Sequence, residues 1–474
     1  MTEANIIETD FCIIGAGSGG LSLAAGAVQM GASVTLIQKG KMGGDCLNYG
    51  CVPSKSLLAA AKIGHMKSEE FGWQGTLHPD FAKVSDHIQS VIASIAPHDS
   101  VERFTKLGVQ VIEGIGQFID PKTVQVGPQR VKAKKFIIAT GSSPIIPAID
   151  GLQGILYLTT DSIFSLQELP KHLVIVGGGP IGIEMAQGYR RLGAQVTVLE
   201  AFSILPRDDH EAAAIIRQQL IGEGVDIIEG AQVTKVDYQD PGPFRVYVQH
   251  QGKEKTIVGS HLLLAVGRRP QVSLLNLEAA NVRYSTKGIE VDQYLRTSNK
   301  QIYAIGDVTG HFQFTHVANY QAGVVIRHAL LKFTAGAHEN NIPWVTYTDP
   351  ELAHIGLTEA KAVNQKISHK VLRSFYQEND RACTERSTLG FIKVIVAPRG
   401  QILGVTIIGA HGGELIFPWI LAIQQKLKIG AMANIIAPYP TFSEINKRVA
   451  GSYFTPLLYN EWTKKIVRFL LKWT

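Results

Sequence analysis

Two cysteines stand five positions apart in "GGDCLNYGCVPSK", residues 43–55 of a 474-residue chain that has four cysteines in all. Cys46 and Cys51 could form a metal clip, a structural staple or a redox pair. A zinc site needs four ligands, usually as two close pairs. No second C-x-x-C and no suitable histidine pair accompanies these two, so no metal is expected. A closed C-x₄-C loop recovers little chain entropy, which makes a staple a poor explanation. A redox pair is the favoured reading. Residues five apart on a regular helix point about 140° apart. The pair can therefore close only where the segment is irregular, and Gly50 gives the backbone that freedom. Pro53 suits a first helical turn, and a helix is predicted from about Pro53 to Lys67. That places Cys51 near a helix N-terminus, where a thiolate is stabilised. Lys55 lies one turn on, on the same face as Cys51.

The elements around this segment repeat. "TDFCIIGAGSGG" (residues 9–20) reads as a buried strand entering a glycine turn, then a helix, then a second strand in "ASVTLIQKG" (residues 32–40). The same plan returns in "LPKHLVIVGGGPIGIEMAQGYRRLGAQVTVLEA" (residues 169–201). The G-x-G-x-x-G motifs are Gly15, Gly17 and Gly20, then Gly177, Gly179 and Gly182, their starts 177 − 15 = 162 residues apart. In each, the first glycine permits the turn, the second lets backbone approach a pyrophosphate, and the third lets helix and strand pack. The helix N-terminus then faces the phosphates with free N–H groups. The residue ending the second strand reads an adenosine ribose. Glu200 can accept from ribose hydroxyls and repels a 2′-phosphate, which favours NADH over NADPH. Its counterpart in the first copy is the amide Gln38. Arg190 and Arg191 lie upstream on the helix, where solvated surface is the expected role.

Length and composition bound the rest. The chain is 45% hydrophobic and 18% charged, with a formal net charge of 46 − 40 = +6. That balance is globular and does not argue for nucleic acid. So few cysteines in so long a chain fit a reducing compartment better than a disulfide framework. A cytoplasmic protein is expected, with a tail that could bring it to the inner face of a membrane. The uncharged run Phe11–Ile37 has membrane length but holds six glycines, so a strand, turn and helix is the expectation. From about Ile342 the pattern changes. Residues 386–409 read as an antiparallel hairpin about a Pro-Arg-Gly turn.

At this point "GGDCLNYGCVPSK" resembles the redox-active disulfide signature of the flavin-dependent pyridine-nucleotide disulfide oxidoreductases. The likeness extends through "ATG" (139–141), "GGGPIGIE", "AVGRRP" (265–270), "AIGD" ending at Asp307, and "YTDPELAHIGLTE". It implies an α/β fold with two Rossmann-like dinucleotide-binding domains, for FAD and NAD, plus a C-terminal α+β dimerisation domain. The expected limits are 1–150 and 271–341 for the FAD-binding parts, 151–270 for the NAD(P)-binding domain, 342–458 for the interface domain and 459–474 for a tail. The resemblance implies a homodimer in which NADH passes hydride to FAD and the flavin reduces the disulfide through Cys51. Cys46 is then the thiol that attacks the acceptor, a disulfide, metal ion or other small molecule. Lys55 is implied near the flavin and paired with Glu184. Gly44, Asp45, Gly116, Thr140, Gly141, Gly267, Arg268, Asp307 and Thr315 join the glycine motifs and Gln38 as cofactor-binding residues.

One stretch departs from the family pattern. A histidine is expected before "PT..E" near the C-terminus, and "YPTFSE" has Tyr439 there, with Glu444 kept. A phenol with a reference pKa of about 10 is poorly matched to proton transfer near neutral pH. Tyrosine at this place is similar to mercuric reductase-like members, whose soft metal needs thiolates more than a proton shuttle. The remainder is as close to dihydrolipoamide dehydrogenase-like members, and a genuine enzyme of that kind or a membrane-docked redox sensor are the other readings. His316 is a candidate substitute proton carrier. In "EWTKKIVRFLLKWT", Trp462, Ile466, Phe469, Leu470 and Trp473 share one helical face, opposite Lys464, Lys465, Arg468 and Lys472. Such a helix can lie on an anionic membrane or pack on its own dimer.

Overall fold

The computed structural model describes residues 6–65, 71–72, 78–238, 242–339 and 341–473. The chain divides into two compact units. One comprises residues 1–177, 188–201 and 231–338, and the other 178–187, 202–230 and 339–474.

The first unit is organised by β1 (Ile6–Ile14), whose last four residues are all buried. Burial on both faces is what a central parallel strand requires, and it explains the unbroken apolar run "FCII". β1 pairs in parallel with β2 (Val34–Gln38) and with the strand Gln129–Ile138. The sheet continues from β2 to Val109–Glu113 and, on the other side, through an antiparallel meander. Ile302–Ala304 adds a parallel strand beside Gln129–Ile138, which is how residues far along the chain rejoin the first fold. Helix α1 (Ser18–Gln29) buries Leu21, Leu23, Ala24 and Ala27 against this sheet's core. Each large side chain buried there contributes about 1.5–3 kcal/mol.

The second copy of the plan has the strands His172–Val176, Gln195–Glu200 and His261–Leu264 running parallel. The helix Pro180–Arg191 follows its glycine turn. As expected, each glycine motif leads from a strand into a helix.

In the second unit, residues 344–409 form a five-stranded antiparallel sheet ordered Trp344–Thr346, Glu351–Gly356, Ile402–Gly409, Phe391–Val396, Lys370–Phe375. The expected hairpin is its centre, with Phe391 opposite Ile408. Trp419 is fully buried against the sheet, and its indole N–H donates to Asn446 Oδ1 at 2.8 Å. Lys393 points into the same unit and donates to both oxygens of Asp209 at 2.8 and 3.0 Å. Glu211 and Glu359 complete its ion pairs. Among the described residues no helix is long and apolar enough to cross a membrane.

Candidate active site

The cysteine segment folds as two short helices, α2 (Gly44–Asn48) and α3 (Cys51–Gly64). Gly50 breaks them with φ −124° and ψ −107°, outside the helical basin. The helix starts two residues earlier than expected, and the expected end at Lys67 lies outside the described residues. The break brings Cys46 and Cys51 together as a disulfide with Cα atoms 4.7 Å apart. Cys51 is therefore the first residue of α3, at the positive end of the helix dipole. Cys12 is a buried free thiol whose pKa burial drives far up, and Cys383 is a free exposed one.

Thr315 opens the helix Thr315–Ala329. Its hydroxyl lies 2.6 Å from Cys46 Sγ and 3.8 Å from Cys51 Sγ. A disulfide sulfur carries no proton, so the hydroxyl is the donor. Next to Cys46, Asp45 pairs with Arg268 at 3.2 Å. Arg268 also donates from Nε to Ser142 Oγ at 2.8 Å and from Nη1 to Thr160 Oγ1 at 3.2 Å. Ser142 in turn donates to Asp307 Oδ2 at 2.6 Å. Burial raises the pKa of both Asp45 and Asp307, and Arg268 opposes that rise in each. Asp45 feels the further repulsion of Asp161 and Asp307. One guanidinium thus serves two carboxylates. Ser142 and Thr160 were not anticipated from sequence; for Ser142 the signal was its place directly after the "ATG" turn.

The glycine loops test whether dinucleotides fit. A Cβ on Gly15 would stand 2.3 Å from the carbonyl oxygen of Ala139, and one on Gly177 2.4 Å from that of Ala265. Both residues also have positive φ, +111° and +115°, so each position demands glycine. Gly20 packs on the carbonyl of Gly15. The middle glycines differ: a Cβ on Gly17 would meet only the Cα of Gly44 at 4.0 Å, and one on Gly179 would meet nothing within that distance. No side chain caps the N-terminus of α1 and its first turn has no acid. Open backbone at an uncapped helix start is the donor set a pyrophosphate takes. The arrangement fits FAD at the first loop. Gly182 lies in the helix Pro180–Arg191.

The other anticipated residues fall as follows. Gln38 ends β2 and its Oε1 accepts the Ala16 N–H at 2.6 Å, tying the strand end to the glycine loop. Glu200 ends its own strand in the second copy. Gly44 approaches Gly17 closely, and Gly116 is packed against Ile14, Ile37 and Val124. Thr140 donates to the Gln271 carbonyl at 2.8 Å, beside Gly141. The Gly267 carbonyl accepts from Ile145 N–H. Lys55 stands one turn into α3. Glu184 is buried, and one of its oxygens accepts the N–H of Tyr347 at 2.9 Å. His316 is exposed and stacks on Phe314, with ring centroids 5.2 Å apart.

Tyr439 is 71% exposed and its hydroxyl donates to Asp380 Oδ2 at 2.8 Å. That hydrogen bond, with the charge of Asp380, holds the phenol above its ordinary pKa, and Glu444 adds to the rise. Glu444 opens the helix Glu444–Ser452. Asp380 is a partner that no sequence pattern indicated.

A disulfide at a helix start, in a chain that carries two glycine-loop dinucleotide folds, defines a disulfide oxidoreductase. The chain belongs to the pyridine nucleotide-disulphide oxidoreductase family, which it matches over residues 9–322, and it matches that family's dimerisation domain over residues 342–450. It is thus an FAD-dependent oxidoreductase that works with a nicotinamide cofactor, and the dimerisation domain indicates a homodimer. It is 36% identical to a dihydrolipoyl dehydrogenase of Geobacillus stearothermophilus over 456 residues, covering 94% of this chain and 96% of that one. It is 35% identical to a mercuric reductase of Staphylococcus aureus over 452 residues, covering 94% of this chain and 82% of that one. Among solved structures, the Cu(II) complex of the HOCl-induced flavoprotein disulfide reductase RclA from Escherichia coli matches with a TM-score of 0.85. That chain is 27% identical, and the match covers 94% of this chain and 99% of that one.

Proposed function

We propose that the protein is an NADH-preferring, FAD-containing reductase that delivers electrons through Cys46 and Cys51 to a small acceptor, with a soft metal ion favoured over an organic disulfide. The observation that carries this reading is the Cys46–Cys51 disulfide at the start of α3, with the Thr315 hydroxyl against it. Bound FAD supplies electron transfer between nicotinamide and disulfide. The residues that would hold it are Gly15, Gly17, Gly20, Gln38, Gly44, Asp45, Gly116, Thr140, Gly141 and Asp307. Gly177, Gly179, Gly182 and Glu200 would hold the nicotinamide cofactor, with Gly267 and Arg268 closing the set. The carboxylate of Glu200 supports NADH, because it repels a 2′-phosphate. Lys55 and Glu184 keep the roles the resemblance gives them.

In the reduced protein Cys46 is the nucleophile and Cys51, at the helix start, is the more stabilised thiolate. Against an organic disulfide, Cys46 attacks one sulfur and displaces the other as a thiolate. Cys51 then attacks Cys46 of the mixed disulfide, re-forming the Cys46–Cys51 bond and releasing the second thiolate. Both leaving thiolates gain from a proton donor. Tyr439, held above an already high pKa, has no proton-accepting form near pH 7 with which to shuttle protons. A soft cation asks for two thiolates instead, which supports the metal reading. The copper named with the Escherichia coli neighbour and the mercury named with the Staphylococcus aureus relative lend it further support.

Anaerobic NADH titration followed by steady-state assays with Hg(II), Cu(II), lipoamide, glutathione disulfide and quinones tests this. Turnover with a metal ion should exceed that with lipoamide and vanish in Cys46→Ser. Equal metal-dependent NADH oxidation in Cys46→Ser would remove the disulfide from the route.

A further inference from the structure

We infer that the helix Glu461–Leu470 with Trp473 is a docking surface for an anionic lipid bilayer. The helix is built to stand by itself. Asn460 caps it, accepting the Thr463 N–H at 2.8 Å, and the Thr463 hydroxyl donates to the Leu457 carbonyl at 2.9 Å. No residue of the helix is buried. Trp462 is 76% and Trp473 80% exposed, and Ile466, Phe469 and Leu470 are each more than half exposed. At about 100° per residue the four on the helix fall within an arc of about 100°, and Trp473 lies just past the helix end. Lys464, Lys465 and Arg468 occupy a second arc of about the same width, with Lys472 beyond the helix end.

Three observations select the bilayer over other occupants. The first is charge: residues 459–474 hold four cations and one acid, 4 − 1 = +3, half of the chain's formal +6. The single acid, Glu461, is already paired with Lys464 at 2.7 Å. Anionic headgroups complement that excess, and basic residues near a charged membrane surface each add to binding. The second is the kind of apolar residue presented. Two of the chain's five tryptophans stand on this face, one near each end. Lys465 lies 5.6 Å over the Trp462 ring, so a cation and an aromatic ring share the boundary between the faces. Indoles with cations alongside suit the level of the headgroups, where one side is apolar and the other wet. The third is position: the match to the family's dimerisation domain ends at residue 450, so the helix lies beyond the matched domain. Ten residues make a helix of about 15 Å, half the hydrocarbon thickness, so it lies in the interface and does not span it.

Flotation of the FAD-loaded, full-length protein tests the proposal, comparing vesicles of phosphatidylcholine with vesicles containing about 30% phosphatidylglycerol. Partition onto the anionic vesicles should be about tenfold or more higher, fall steeply when salt is raised to about 0.5 M, and shift tryptophan emission to the blue. The double variant Lys464→Glu/Arg468→Glu should lose about tenfold in partition, as should Trp462→Ser/Phe469→Ser. NADH-dependent turnover and bound FAD should be unchanged in both, which shows that they fold. Equal partition onto neutral and anionic vesicles would overturn the proposal. So would a charge-reversed variant that floats like the parent. A third contrary result is that Trp462→Ser/Phe469→Ser alters the sedimenting mass of the protein in the absence of lipid, which would assign the face to a second copy of the chain. None of these outcomes depends on the acceptor, so the reductase reading stands or falls separately.

Discussion

The disulfide segment and the Tyr439 segment are both short, both irregular and both followed by a helix, yet they are built to different standards. Around Cys46 the polar groups converge: Thr315 donates to the sulfur, Asp45 meets Arg268, and Arg268 reaches Ser142 and Thr160. Around Tyr439 the partner is a carboxylate, Asp380, on an exposed face. The first arrangement holds a reactive bond in place. The second holds a phenol in its protonated state. On the proposed reading a redox relay and a proton relay are separable parts of this fold, and the Tyr439 segment lacks the histidine that the second would use.

The largest expected effect comes from breaking the first part. Cys46→Ser should lower acceptor reduction by about a thousandfold or more, since loss of a nucleophile removes the covalent step altogether. Bound FAD should be retained, because Cys46 lies outside the glycine loops. Stopped-flow reduction with NADH, followed by acceptor addition, separates the two statements.

Arg268→Gln should have the next largest effect. Arg268 is 12% exposed and Asp45 42%, so the pair is neither fully buried nor a surface contact. Removing the cation leaves Asp45 and Asp307 in place with burial opposing their charge. A loss of about 1–3 kcal/mol in stability is expected after allowing for the exposure of Asp45. Acceptor turnover should fall about tenfold, as Asp45 is adjacent to Cys46. Arg268→Lys should recover part of the stability and less of the turnover, because an ammonium cannot reach Asp45, Ser142 and Thr160 together. Urea unfolding with parallel kinetics measures both. Full activity in Arg268→Gln would show that the convergence around Cys46 is incidental.

The second unit does contain a histidine with a displaced pKa, but in its sheet and away from Tyr439's exposed face. His354 is fully buried between Thr406 and Gly356. Nε2 faces the Gly356 carbonyl at 3.0 Å and must carry the proton, so Nδ1 accepts from Thr406. Burial pulls its pKa down to about 4 from 6.5. A histidine whose folded pKa is depressed is neutral in the native state and binds its proton first in the unfolded one. Its contribution is therefore complete above about pH 6.5 and is lost as pH falls toward 4. Between pH 7.5 and pH 5 the loss should be about 2 kcal/mol. Urea unfolding at the two pH values checks this, with His354→Gln expected to flatten the difference. No flattening would show that another group sets the acid limit of this unit.

Much of this was legible in the sequence because it depends on backbone. The two glycine motifs announce strand, turn and helix, and the structure gives the reason: Gly15 and Gly177 each press on an alanine carbonyl just past the end of a neighbouring strand. The apolar run before Gly15 reads as a strand buried on both faces, and β1 is one. Gly50 marks the break that lets Cys46 meet Cys51. Partners contributed by distant segments were not legible. Nothing near Tyr439 in sequence points to Asp380, 59 positions away, and nothing near Arg268 points to Thr160. Side chains that meet only after folding leave no spacing to read. The grouping of residues 178–187 and 202–230 with the residues after 338 is of the same kind, since no shift in composition marks it.

Tyr439 gives the smallest predicted effect and the most direct test of the comparison. If the phenol is no proton carrier, Tyr439→Phe should change metal-ion turnover by less than about twofold, and its pH profile should overlay that of the parent. The phenol is mostly exposed, so stability should also be nearly unchanged. Tyr439→His puts an imidazole, with a reference pKa of about 6.5, where the family pattern has its histidine. Asp380 and Glu444 would both favour its protonated form, since each already acts on the residue at this position through its negative charge. Lipoamide turnover should then rise several-fold and acquire a pH dependence in the neutral range, while metal-ion turnover stays level. A rise in both, or in neither, would mean that the proton step does not separate the two kinds of acceptor. The difference between the two segments would then reflect packing alone.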